Sequence, residues 1–319
     1  MKTILLTRSD IASLLSMENC IDAVETAFRL HASGKIGPPG ILGMHVGDGS
    51  FHVKAAGMSR YFAAKTNANF PGNAKAHGLP TIQGAILLFD ARNGRLLAIM
   101  DSAEITALRT GATTGVATRH LAKPSASVLT VVGCGAQSAA QLRAVAAVCK
   151  LRRILVSDLD PARAARFAEE HGGEVARDLR AAISGSDIVV TCTTSTGAIV
   201  DAAWVPQGCF VAAVGADNEH KQEIDPALFS TARVVVDSLE QCALIGDLHH
   251  ALDAGTIARD GVHAELGEIA AGQKPGRESD SQTVLFDSCG VALGDVAAAA
   301  LAYERALAGG RGASIQLTD

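Results

Sequence analysis

The sequence lacks any apolar run long enough to span a bilayer: Val128 to Val132, Ile188 to Val190 and Val234 to Val236 are only strand-length. Its first residues, Met1-Lys2-Thr3-Ile4-Leu5-Leu6-Thr7-Arg8, reach a second charge too early for a signal-peptide core. These two absences make a cytoplasmic protein the expectation, with no membrane partner. A basic stripe is also missing. The 28 Lys and Arg residues are scattered and the formal charge is −5, which leaves no electrostatic footprint for nucleic acid. None of the seven cysteines forms a Cys-x-x-Cys pair, and the ten histidines show no His-Glu-x-x-His spacing. A disulfide framework and a structural zinc site are thereby excluded, no metal is expected, and the cysteines read as small reduced core residues.

What is present is core. With 319 residues, 48% of them apolar, and a mean hydropathy of +0.22, the chain can bury one large or two ordinary domains. Ser9 to Gly34 has helical periodicity, with Ser9 as N-cap and Gly34 as stop. Strands follow at Phe51–Ala56, Tyr61–Asn67, Thr81–Phe89 and Arg95–Met100, the last two flanking Asn93-Gly94, a dipeptide suited to the positive φ angles of a hairpin turn. Asp101 and Glu104 stand at capping-box spacing before a helix that runs to about Arg119. From about Lys123 strands and helices alternate, the grammar of a parallel sheet covered on both faces. The strands expected there are Val128–Val132, Arg153–Ser157, Ile188–Cys192, Phe210–Val214, Val234–Asp237 and Thr283–Asp287, with an Ala-rich helix from Val291. The tail after Ala308 reads as a frayed terminus or a subunit contact. The fold class expected is α/β: a Rossmann-type doubly wound sheet over 121–305, preceded by an α+β domain over 1–120.

One motif carries chemistry directly. Val131-Val132-Gly133-Cys134-Gly135-Ala136-Gln137-Ser138 takes a buried strand through Gly-x-Gly-x-x-Ser into a helix. The first glycine permits the tight turn, the second lets a pyrophosphate approach the backbone, and the third position must be small. Asp158 ends the next strand, about 20 residues on, as a dinucleotide fingerprint requires. A carboxylate there accepts hydrogen bonds from ribose hydroxyls and repels a 2′-phosphate, so NAD(H) is expected over NADP(H); the nearby Arg163 keeps NADP open. Both features have plainer readings: a glycine turn without a ligand, and a helix cap. The capping place is better filled by Asp160, immediately before Pro161.

The N-terminal strands contain polar residues in apolar surroundings: His52, Lys54 and Lys65, followed by Arg109 in the next helix. Lys65 either lies on an exposed strand face or buries an ammonium that needs an anion, for which a substrate carboxylate would serve. Arg109 is in the same way an anion ligand or a solvated helix residue. Asp217 follows a strand at the carboxyl edge of the sheet, where ligands bind open α/β folds; it is a general acid/base or an Asx-turn residue. His249-His250 reads as surface loop.

Assembled in order, these stretches resemble the ornithine cyclodeaminase and μ-crystallin family, which includes archaeal-type alanine dehydrogenases and cyclic ketimine reductases. The matching segments are Phe62-Ala63-Ala64-Lys65, Asn69-Phe70-Pro71-Gly72-Asn73, Leu108-Arg109-Thr110-Gly111-Ala112-Thr113-Thr114, Gly133 to Ser138, Val214-Gly215-Ala216-Asp217 with Lys221, Gly276 to Gln282, and Phe286-Asp287-Ser288-Cys289-Gly290. The resemblance implies that Lys65 and Arg109 hold the substrate carboxylate, that Asp217 is the acid/base, and that Cys289 faces substrate. Cofactor contacts implied are Thr81, Arg109, Gly133, Gly135, Ala136, Gln137, Asp158, Thr193, Val211, Ala212, Ala213, Val214, Lys221 and Ser288. It also implies a homodimer formed by the N-terminal strands, and a final segment, about 306–319, that returns to the N-terminal domain. Ornithine cyclodeaminases differ from this chain in carrying an arginine ahead of the first strands and an acid on the strand before Lys65. Here Gly37-Pro38-Pro39-Gly40-Ile41 and His52 occupy those places, and Lys54 is a substitute cation. The expectation is therefore NAD(H)-dependent reduction of a cyclic ketimine such as pyrroline-2-carboxylate. Ornithine cyclodeamination with recycled NAD and a μ-crystallin-like binding role are the alternatives.

Overall fold

The computed structural model describes residues 2–317. In chain order the elements are β1 (Lys2–Leu6), α1 (Arg8–Leu14), α2 (Met17–Ala32), β2 (Gly40–Val46), β3 (Gly49–Met58), β4 (Tyr61–Asn69), α3 (Asn73–His77), β5 (Ile82–Asp90), β6 (Leu96–Asp101) and α4 (Ser102–Leu121). They continue with β7 (Val128–Val132), α5 (Ser138–Val148), β8 (Arg153–Ser157), α6 (Pro161–His171), β9 (Glu174–Val175), α7 (Leu179–Ser184), β10 (Ile188–Thr191), β11 (Thr196–Val200), β12 (Phe210–Ala213) and β13 (Gln222–Ile224). The last are α8 (Ala227–Thr231), β14 (Arg233–Val236), α9 (Leu239–Ile245), α10 (Asp247–Asp253), β15 (Ala264–Glu265), α11 (Leu266–Ala270), β16 (Val284–Asp287), α12 (Ala292–Gly309) and β17 (Ala313–Gln316). Two compact units form: one holds the residues up to Thr113 and those from Val291 on, the other Thr114–Gly290.

The first unit is built on a seven-stranded sheet in the order β17-β1-β6-β5-β4-β3-β2, antiparallel except for β1 beside β6. Helix α12 packs on β3, β4 and α2, which its alanines allow at close range. The chain therefore re-enters this unit at Val291, well before residue 306. Nor is the tail frayed. Gly310 and Gly312 take φ of +61° and +88°, and β17 then pairs antiparallel with β1.

Other local expectations are also corrected. The segment Ser9 to Gly34 is not one helix: Thr7 caps α1 in a reciprocal pair with Asp10, Leu15 is extended, and the Ser16 hydroxyl accepts from Asn19 N to start α2. Side-chain oxygens at both caps compete successfully with helix continuation. Strand β2, not among the expected strands, is exposed along its whole length, although Leu42, Met44 and Val46 alternate along it. At Asn93-Gly94 the hairpin loop is longer than two residues, closed by Asp90 N to Arg95 O, and only Gly94 has a positive φ, of +73°.

The second unit is an eight-stranded sheet in the order β15-β14-β16-β12-β10-β7-β8-β9, parallel throughout. The chain runs from β7 to β8 and β9 on one side, then returns to β10 on the other, so the strand order reverses between β7 and β10. That switch point is where an open α/β sheet offers a ligand crevice at its carboxyl edge. The central strands are apolar on both faces and buried, as helical coverage of both faces demands. Among the described residues no helix is long and apolar enough to cross a membrane.

Candidate functional site

Two groups of side chains stand out, one in each unit. In the first unit, Lys54 on β3 lies directly opposite Lys65 on β4, and His52 opposite Asn67, so the four share one sheet face. His52 and Lys54 are half-buried, whereas Lys65 is 3% and Arg109 5% exposed. The anion that accompanies Lys65 belongs to the protein. Asp295, on α12 and 1% exposed, accepts from Lys65 Nζ at 2.8 Å and from Arg109 Nε at 2.9 Å, both at Oδ1. Thr106 Oγ1 is 3.3 Å from the same ammonium. Burial pushes the Lys65 pKa down to about 7, a fall that Asp295 opposes and that Arg109 and Lys54 deepen. Asp295 is itself pulled up by burial, but the charges of Lys65 and Arg109 prevail and hold it below the usual carboxylate range. The exposed-strand reading of Lys65 and the solvated-helix reading of Arg109 are both excluded. Sequence pattern does not single out Asp295, although a lone acid in Ala292-Leu293-Gly294-Asp295-Val296-Ala297 is itself a signal. Thr81 lies exposed just before β5.

In the second unit β7 delivers the glycine loop. Gly133 has φ +96°, and a Cβ there would come within 2.8 Å of Thr193 Cγ2 and 3.0 Å of Cys192 O. Only glycine serves at that turn. Ser138 is fully buried at the start of α5, and its hydroxyl donates to Gly135 O at 2.6 Å, which accommodates the one departure from a Gly or Ala at this place. Asp158 ties the second strand to the loop: Oδ2 accepts from Cys134 N at 2.7 Å and Oδ1 from Asp160 N at 2.8 Å, with Arg163 4.0 Å away. Asp160 caps α6 through Ala162 N and Arg163 N, leaving Asp158 for another task.

The loop fits a dinucleotide. A Cβ at Gly135 would meet nothing within 4 Å, so space lies open where a pyrophosphate would approach the N-terminus of α5. Gln137 Oε1 is buried without a hydrogen-bond partner among the described residues. A cleft of about 490 Å³ opens beside Cys134, Gly135 and Ala136.

The remaining expected contacts are less uniform. Val211, Ala212 and Ala213 are fully buried inside β12, paired to β10 and β16, so only Val214 reaches the strand end. Thr193 N donates to Glu223. Ser288 donates from Oγ to Asp237 at 2.7 Å, and Cys289 is buried with its thiol donating to Cys242 at 3.4 Å. Asp217 is no Asx-turn residue; Asn218 makes that turn by accepting from His220 N. The Asp217 side chain is 56% exposed and its Oδ1 accepts from Lys221 Nζ at 2.6 Å. His250, expected on a surface loop, is half-buried in α10 and meets Lys221 O through Nε2 at 2.9 Å.

Beneath these loops lie three fully buried acids that strand-end patterns such as Val284-Leu285-Phe286-Asp287 only hint at. Glu223 accepts from Thr191 Oγ1, Thr193 N and Gly215 N, tying the segments that follow β10 and β12 to β13. Asp247 accepts from Glu223 N and Ile224 N, and Asp287 from Leu248 N. Burial, with the neighbouring charge of Glu223, pushes Asp247 up to about 7. Burial and the Asp247 charge push Asp287 well above the carboxylate range.

Known proteins are similar to this chain in sequence and fold. A model of the ornithine cyclodeaminase/mu-crystallin family matches residues 1–310. An alanine dehydrogenase of Archaeoglobus fulgidus is 37% identical over 319 residues, 99% of each chain. Among solved structures, an archaeal alanine dehydrogenase dimer with bound NAD superposes with a TM-score of 0.95 at 37% identity, covering 100% of both chains. The Δ1-pyrroline-2-carboxylate reductase of Thermococcus litoralis, in complex with NADH and L-proline, gives 0.92 at 34% identity, covering 98% of this chain and 100% of the other. The expected fold class is thus met, and with a match that spans nearly its whole length the chain belongs to the ornithine cyclodeaminase/mu-crystallin family.

Proposed function

We propose that this protein is an NAD(H)-dependent oxidoreductase acting at the α-carbon of a small amino or imino acid, and that its foremost reaction is reduction of a cyclic ketimine such as pyrroline-2-carboxylate to proline. The observation that carries this reading is the pair of buried cations, Lys65 and Arg109, balanced by a single carboxylate. Two buried positive charges against one negative charge leave a place for one more anion, and a substrate carboxylate supplies it.

When bound at the Gly133–Ser138 loop, NAD(H) supplies the hydride. Asp158 receives the ribose hydroxyls and disfavours a 2′-phosphate. Lys65 and Arg109 fix the substrate carboxylate, which sets the α-carbon in one orientation. Asp217 passes a proton to the imine nitrogen and recovers one from solvent through its exposed side. The C=N bond thus gains one hydride at carbon and one proton at nitrogen. His52 offers no fixed negative charge for a terminal ammonium, which argues against ornithine. A second reading, reductive amination of pyruvate with ammonia, is favoured by the full-length similarity to an alanine dehydrogenase.

The test is a panel of pyrroline-2-carboxylate, piperideine-2-carboxylate, pyruvate with ammonia, and ornithine, followed by NADH absorbance and ammonia release. Stoichiometric NADH oxidation with the cyclic imines is expected. Ammonia release from ornithine on catalytic NAD, without net NADH, would overturn the proposal in favour of a cyclodeaminase.

The same reading includes a homodimer. Ile41, Leu42, Met44 and Val46 on the edge strand β2 are 49–56% exposed, an apolar surface with an open hydrogen-bonding edge. Sedimentation velocity is expected to show a dimer that Leu42→Glu dissociates. A wild-type monomer at micromolar concentration would refute it.

A further inference from the structure

We infer that Asp295 is a positioning residue for the substrate-anchoring cations, holding the Lys65 ammonium and the Arg109 guanidinium on one carboxylate oxygen so that their other N–H groups are presented to a substrate carboxylate. The inference rests on the functional reading of Lys65 and Arg109 given above. Its basis is geometric. Contacts of 2.8 and 2.9 Å converge on Oδ1, while Oδ2 is buried without a hydrogen-bond partner among the described residues. The two cations are thereby drawn to one point, side by side. Gly294 assists, because a Cβ there would stand 3.0 Å from Arg109 Cδ and displace the arginine from α12. Thr106 takes a second N–H of Lys65, and the third has no partner among the described residues.

Charge gives Asp295 a second duty. Lys65 is faced by Lys54 and His52 on β3, by Arg109 on α4 and by Asp295 on α12, while β5 places the apolar Ile86 opposite it. The Asp90–Arg92 and Tyr61–Glu304 pairs lie toward the other end of β4. Among the described residues Asp295 is therefore the acid that keeps Lys65 charged amid neighbouring cations, and only a charged Lys65 anchors a carboxylate.

The decisive measurement is an NMR titration of Lys65 in the full-length protein labelled with [13Cε]lysine, the signal being assigned by its loss in Lys65→Arg. In Asp295→Asn the Lys65 titration is expected to fall by about one pH unit or more, as removal of an adjacent opposite charge requires. The alkaline limb of kcat/KM for the imino acid should fall with it. An unmoved Lys65 titration, or a loss of kcat without a shifted limb, overturns the inference. Should Asp295→Asn not fold, Asp295→Glu carries the test. Its charge is kept but displaced by one methylene, so KM should rise at least about fivefold with the Lys65 titration little changed, and an unaltered KM overturns the inference. If the wild-type enzyme turns over no amino or imino acid, the functional reading fails, and the NMR arm still decides whether Asp295 governs Lys65.

Discussion

Asp217→Asn is expected to lower kcat for imino-acid reduction by about 10²–10⁴-fold, the usual contribution of a positioned acid/base, with NADH binding and thermal stability unchanged. The amide matches the carboxylate in size but cannot carry the proton. Stability is spared because Asp217 is exposed and, among the described residues, is bonded only to Lys221 and Asn218 on the same loop. That loop is held from elsewhere, by the Glu223 contact to Gly215 N and the His250 contact to Lys221 O. Steady-state kinetics with pyrroline-2-carboxylate, alongside calorimetric titration of NADH, separate the two effects. A variant that keeps full turnover would remove Asp217 from the mechanism, and one that loses NADH binding would make it a cofactor contact instead.

The second large effect concerns the buried acids. Asp247 is pushed up to about 7 by burial and the Glu223 charge, against about 3.9 for an unfolded aspartate. A carboxyl whose folded pKa is raised contributes stability that is fully present below the unfolded value and is lost as pH rises to the folded one. For Asp247 that window runs from about 4 to about 7, and above it the native state carries a buried charge at a cost of up to about 4 kcal/mol. Asp247→Asn keeps an Oδ1 acceptor for Glu223 N and Ile224 N and removes that charge. The variant should therefore gain about 2 kcal/mol at pH 8 and little at pH 4. Urea denaturation at both values, at fixed protein concentration, reads the difference. A loss of stability at pH 8 would mean that the cluster is held together by its charges rather than opposed by them.

Much of the fold was legible because the responsible forces are local or periodic. Strands β7, β8, β10, β12, β14 and β16 announce themselves as short apolar runs, whereas β9, β11, β13 and β15 do not, and Gly133, Asp160 with Pro161, and the acid after β8 each answer a local backbone or ligand requirement. Misreadings cluster where the deciding contact is remote. Strand β2 is an edge strand that only β3 pairs with. The tail becomes β17 only because β1 lies ready to pair with it. The break between α1 and α2 was legible in principle, since Ser16 is a cap residue as good as Thr7, but the apolar periodicity running through both helices masks it.

The absences of membrane-length apolar runs and of basic stripes were decided by the linear sequence, because each requires many residues of one kind in succession. The sequence by itself likewise determined the glycine loop with Asp158 and marked Lys65, Arg109 and Asp217 as unusual. Only tertiary structure decided what accompanies them. Asp295 stands 230 residues from Lys65 and 186 from Arg109, and Glu223, Asp247 and Asp287 meet only once β13, the start of α10 and the end of β16 have been brought together. A buried charge is stable only with a partner, and the partner's identity depends on which chain segments the sheets bring together.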